Sequence, residues 1–215
     1  MSCSHAVRAT AVCGILAGFV GLAGAGCEAS GSASHSPASG RGEASHDVTT
    51  GWAAAGAHGM IGVGCGWIPA AGPGSIGDMA SAPVMGAVAH TRLLTEIAHA
   101  IQAADLTGRL NAAKAITVFA PDDAAFGALG RGNLTTLLAD KSDLIRVIEY
   151  HVVSGRQTPA DLASGRHLTT LLGTVIIPAK SHGKYRVNNA QVICGGIQTA
   201  NATVYIVNKI LVPIP

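Results

Sequence analysis

Aromatic side chains are scarce in this sequence, at 4% of its residues, although hydrophobic residues reach 48%. A core built on Val, Ile, Leu and Ala is implied. Charge is also thin: Asp, Glu, Lys and Arg make up 12%, with a formal net charge of +2. No basic block is present, nor any interleaving of basic and aromatic residues. Nucleic acid is therefore not an expected partner, because phosphate binding needs concentrated cationic surface. The signatures of common catalytic and metal centres are missing too. No His-Glu-x-x-His, Cys-x-x-Cys or Gly-x-Ser-x-Gly occurs. His90 and His99 share a helical stretch but fall half a turn out of line. Gly62, Gly64 and Gly66 do not lie between a strand and a helix, so they form no dinucleotide loop. Ser181-His182-Gly183-Lys184 has a Ser-x-x-Lys spelling, but a hairpin turn accounts for it. No cofactor, no metal site and no enzymatic activity are expected.

What is present begins with an export pattern. Arg8 is the only charged residue before Glu28. Ala11 to Leu22 is apolar, and small residues follow it, as in a secretory signal. A membrane-spanning anchor is the rival reading, and it needs about 20 apolar residues. The segment ends in Leu22-Ala23-Gly24-Ala25-Gly26-Cys27. This resembles a lipobox, in which Cys27 would carry lipid; Gly24 departs from the usual Leu. A plain signal peptide is the alternative. Of the five cysteines, Cys3 and Cys13 would leave with the signal and Cys27 would be lipidated. Cys65 and Cys194 then remain as a pair in an oxidising compartment, and a disulfide is expected between them. Two unpaired buried thiols are the alternative. Residues 28–59 are rich in Ser, Ala, Gly and His and bury too little apolar surface to offset ordering entropy. They read as a flexible tether ahead of one folded domain, residues 60–215.

Within that domain helical periodicity comes first. Leu94, Ile97, Ala98 and Ile101 share one face, and Pro83 is placed to open the helix before them. Ile116 to Phe119 reads as a strand, and Asp122 suits the start of a short helix, Asp123 to Leu129. Asp143 to Val153 reads as the clearest helix. After Gly155 short strands are expected at Thr174–Ile177, Lys184–Val187, Gln191–Cys194, Gly196–Thr199 and Thr203–Val212. Both alternating faces of the last are apolar, so it should be central and buried. Helices followed by strands give an α+β class.

Three ordered phrases now resemble the fasciclin (FAS1) domain family. Ile116-Thr117-Val118-Phe119-Ala120-Pro121-Asp122-Asp123-Ala124-Ala125-Phe126 resembles its first box. Asn201-Ala202-Thr203-Val204-Tyr205-Ile206-Val207-Asn208-Lys209-Ile210-Leu211-Val212-Pro213 resembles its second, and Tyr150-His151-Val152-Val153 its Tyr-His motif. Val63-Gly64-Cys65 and Val192-Ile193-Cys194-Gly195-Gly196 are similar to the mycobacterial secreted and lipoprotein fasciclin antigens. The resemblance covers about residues 60–215. It implies a β-wedge of two sheets with packed helices, preceded here by the signal peptide and tether, and a bridge between Cys65 and Cys194.

The same resemblance implies adhesion, with the Tyr-His region in partner contact, so Tyr150 and His151 are the candidate partner-binding residues. A buried, hydrogen-bonded histidine is the plainer reading of His151. Asn201 reads as a backbone-bonding turn residue rather than a sugar carrier, despite its Asn-x-Thr spelling. The expected function is a secreted or cell-envelope protein that recognises an unidentified protein or glycan at a cell surface. Membrane attachment would run through lipid on Cys27. The alternative is a carrier of a small apolar ligand or lipid.

Overall fold

The computed structural model describes residues 59–213, so the segment read as a signal and all of the tether but Gly59 lie outside the described residues. The described chain enters through a 3-10 turn at Val63–Trp67. Four helices follow: α1 (Ile76–Ser81), α2 (Val84–His90), α3 (Thr95–Ala103) and α4 (Thr107–Ala112). The Ser75 hydroxyl accepts the Asp78 N–H to start α1, and Pro83 stands directly ahead of α2. Leu94, Ile97, Ala98 and Ile101 are all buried, as their spacing requires.

Strand β1 (Ile116–Pro121) comes next, then α5 (Asp123–Leu129), α6 (Arg131–Ala139) and α7 (Lys141–Tyr150). Asp122 caps α5, accepting the Ala125 N–H at 2.8 Å. Burial raises the pKa of its carboxyl. The remainder is β2 (Val152–Ser154), α8 (Pro159–Ala163), β3 (Leu168–Thr169), β4 (Val175–Ile176), β5 (Pro178–Ser181), β6 (Lys184–Val187), β7 (Ala190–Gln198) and β8 (Ala202–Val207). Six strands form one sheet in the order β2-β1-β8-β7-β6-β5, and β3 and β4 pair separately. The β1–β8 pair is parallel, and the other pairs are antiparallel. The first residues of β7 pair with β6 and the rest with β8, so the mixed sheet curls along this one strand.

Strands β1 and β8 are buried on both faces. Ile116, Val118, Ala120, Val204 and Ile206 pack with the helices in one apolar cluster. Phe119, Tyr205 and Val207 face a second cluster with Leu162, Ile176 and Val187. This is the arrangement a two-faced apolar pattern calls for. The class is α+β, and the helices lie beside the curled sheet.

Three local readings differ. The helix expected to reach Val153 ends at Tyr150, because Val152 and Val153 pair with Val118 and Thr117 of β1. The two strands expected at 191–194 and 196–199 are one strand with register shifts at Ile193 and Gly196. A Cβ on Gly195 would lie 2.1 Å from the Tyr205 ring, so only glycine lets that ring close against the sheet. The last strand stops at Val207, although Ile210 and Leu211 stay buried.

Asn201 joins the helical and sheet halves. Its Oδ1 accepts the Val84 N–H at 2.8 Å at the start of α2. Its Nδ2 donates to the carbonyls of Leu110 and Ala113 at 2.8 and 2.9 Å at the end of α4. The side chain therefore works across the fold rather than within its own turn, and its amide is committed. Arg156 clamps that turn instead, donating to the carbonyls of Thr199, Ala200 and Ala202. Asn201→Ala leaves several backbone groups without partners and is expected to cost about 2 kcal/mol in urea unfolding. A cost under about 0.5 kcal/mol, the level of an ordinary surface change, would contradict this role.

Candidate recognition site

Tyr150 and His151 close α7 and lie inside the protein, at 4% and 2% exposure. The His151 Nδ1–H donates to the Val147 carbonyl at 2.8 Å. Its Nε2 accepts the Leu211 N–H at 2.9 Å, and its own carbonyl accepts the Phe119 N–H at 2.9 Å. Both ring nitrogens are thus used, and the pattern fixes the neutral Nδ1–H tautomer. Burial lowers the pKa of His151 to about 4, because the charged ring would lose its water. The Tyr150 hydroxyl accepts from Asn188 Nδ2 at 2.9 Å. The pair therefore ties α7 to β1, to the turn after β6 and to the C-terminal segment. As folded, both side chains are turned inward and bonded within the protein.

A surface feature lies on the lead-in, the Gly- and Pro-rich residues 60–74 ahead of α1. Cys65 and Cys194 are joined by a disulfide. Beside it, Ile61 and Gly195 exchange backbone hydrogen bonds at 2.9 and 2.8 Å. The lead-in approaches β7 so closely that a Cβ on Gly62, at φ 102°, would meet the Ile193 carbonyl oxygen at 2.2 Å. This double attachment displays Val63 and Trp67, which are 88% and 62% exposed. Trp67 lines a groove of about 520 Å³ together with Ile68, Pro69, Pro73, Arg92 and Leu93. The loop behind it is held by Asp78, which accepts the Gly74 N–H at 2.8 Å. That bond, with His90 beside it, keeps the Asp78 carboxyl below its usual range. Trp67 carries no motif of its own in the sequence. Its one usable signal was a large aromatic two positions from a bridged cysteine.

The remaining candidate positions are quickly placed. Cys27 lies outside the described residues. Among the described residues, no three His, Cys, Asp or Glu side chains converge as a metal site, and no helix is long and apolar enough to cross a membrane. Ser181 Oγ is 2.8 Å from His182 Nδ1 at the exposed turn between β5 and β6.

Comparison with known proteins gives a consistent set of likenesses. The Fasciclin domain family model matches residues 92–213, so Cys65 and Trp67 stand ahead of the matched region. Immunogenic protein MPB70 of Mycobacterium bovis is 35% identical over 162 residues, 72% of this chain and 82% of that protein. Cell surface glycolipoprotein MPB83 of the same species is 36% identical over 174 residues, 77% of this chain and 78% of that protein. Among solved structures, a FAS1 domain pair from the insect cell adhesion molecule Fasciclin I is similar, with a TM-score of 0.55 at 15% identity. That match spans 63% of this chain and 52% of the other, and it bears on the fold alone.

Proposed function

This chain belongs to the fasciclin family, and from that premise we infer that it is a non-enzymatic recognition module, displayed at or released from a cell surface, that binds a protein or glycan partner. One relative is named an immunogenic protein and the other a cell surface glycolipoprotein. In this reading residues 1–27 are the export signal, Cys27 carries lipid, residues 28–59 are the tether and residues 60–215 are the displayed domain.

The observation that carries the reading is Trp67. A large aromatic 62% exposed, on a segment fixed by a disulfide and a backbone bridge, gives contact area with little ordering cost. The groove beside it adds apolar wall and one exposed cation, Arg92. The apolar residues that a carrier would need around a ligand are instead packed on each other in β1 and β8, which supports recognition over carriage.

The test is saturable binding of the purified chain to host cells and to cell-wall fractions, with Trp67→Ala beside it. Loss of a central aromatic anchor is expected to weaken binding at least about tenfold. No saturable binding to either material, or equal binding by the variant, would sink the reading.

A further inference from the structure

Charge is segregated along this chain. No Asp or Glu follows Asp161, whereas Arg166, Lys180, Lys184, Arg186 and Lys209 do. The fold gathers three of these cations on one projecting element, the β5–β6 hairpin. The strands pair Ser181 with Lys184, Lys180 with Tyr185 and Ala179 with Arg186. Lys184 and Arg186 therefore stand on the same face, about 7 Å apart. Arg186 is also opposite Gln191 of β7, whose N–H is held by Asn208, the neighbour of Lys209. Lys180 lies on the other face, over the Tyr185 ring at 5.0 Å.

Three of the five cations are not engaged internally. Among the described residues, the side chains of Lys184, Arg186 and Lys209 make no hydrogen bond or ion pair, and all three residues are exposed. Only Arg166, before β3, has an acidic neighbour, Asp161 at 3.8 Å. Cations without acids among them repel one another, and an anionic partner relieves that repulsion. The spaces between them carry Ser181, Asn189 and Gln191, which can donate to and accept from hydroxyls. The turn itself, His182-Gly183, holds no large apolar or aromatic side chain that would enter a bilayer.

We propose that the β5–β6 hairpin, at the edge of the sheet, is a binding surface for a linear anionic polysaccharide, its carboxylate, sulfate or phosphate groups meeting Lys184 and Arg186 on one face and Lys180 across the edge strand. This surface is distinct from the Trp67 groove and goes beyond the recognition reading drawn from it.

The full chain is titrated with dextran sulfate, with polygalacturonate, with neutral dextran and with phosphatidylglycerol vesicles. Both anionic polymers are expected to bind and dextran is not. Affinity is expected to fall about tenfold or more between about 50 and about 200 mM salt. The triple variant Lys180→Gln, Lys184→Gln, Arg186→Gln is expected to weaken polymer binding at least about tenfold with an unchanged thermal midpoint. An equal loss of charge elsewhere, Arg109→Gln, Lys114→Gln, Arg146→Gln, is expected to leave it within about twofold. The proposal is overturned if neither anionic polymer binds, if the hairpin variant binds as well as the parent, if the control variant is weakened equally, or if vesicles bind in preference to both polymers. Trp67→Ala is expected to leave polymer binding intact. If the polymers fail while cell-wall binding persists, the hairpin proposal alone falls.

Discussion

Replacing Cys65 and Cys194 together by serine is expected to lower stability by about 4–5 kcal/mol, the largest effect of any change considered. The reason is the length of chain that the bond closes. The two cysteines are 129 residues apart, so the link spans nearly the whole described fold. Without it the unfolded chain regains the freedom that the loop removes. In the chain-entropy description that freedom grows with the logarithm of loop length. In the folded state the Ile61–Gly195 bridge and the packing of Met60, Ile61 and Ile68 would still hold the lead-in. Thermal unfolding should show a midpoint lowered by about 10 °C or more for a domain of this size. The display of Trp67 should loosen in parallel, so binding should weaken before the core is lost. A fall of only a few degrees would mean that the backbone bridge and packing hold the lead-in unaided.

The second large effect is a loss of stability in acid that runs through His151. The folded pKa is about 4, below the ordinary value of 6.5, because the buried ring resists charging. Between these values the unfolded chain binds the proton and the folded chain does not. The stability contributed by neutral His151 is therefore complete above about pH 6.5 and is lost progressively as pH falls toward 4. The full span corresponds to about 3 kcal/mol. His151→Gln keeps an oxygen that can accept the Leu211 N–H but removes the titration. Urea unfolding at about pH 7, 5.5 and 4.5 should show a steep decline for the parent and a shallower one for the variant. Asp122, whose burial raises its pKa, contributes in the opposite sense, since its stabilisation is lost as pH rises. It does so equally in both proteins, and the comparison removes it. Equal slopes would contradict the placement of His151.

The central strands were legible because both alternating faces of Ala202–Val207 are apolar, and only a doubly covered strand needs that. The cap at Asp122 was legible from local chemistry. Other features depend on distant partners and left little local trace. Val152 and Val153 continue the apolar spacing of α7, and only pairing with β1 turns them into a strand. Helix α6 has no buried residue among those described, so no periodic face announces it. The strand expected to run on to Val212 breaks after Val207, where the chain turns Leu211 inward to meet His151.

The site was less legible than the fold. The Tyr-His motif located residues that matter, but a motif does not distinguish a surface contact from an internal clasp. Burial bears on that, and here both side chains are buried and bonded internally. Trp67 is displayed because the Cys65–Cys194 bridge and the Ile61–Gly195 bonds fix the lead-in on β7; the bridge was legible two residues away, but the exposure of Trp67 was not. The hairpin cations were visible as single residues, but their gathering on one edge hairpin follows from the register of β5 against β6.

Hydrogen-exchange footprinting of the purified chain with and without a host cell-wall extract tests the central claim most directly. New protection is expected in residues 63–73 and 90–93, around the Trp67 groove, while 147–153 exchanges as in the free chain. New protection confined to 147–153, or none in 63–73, would contradict the account.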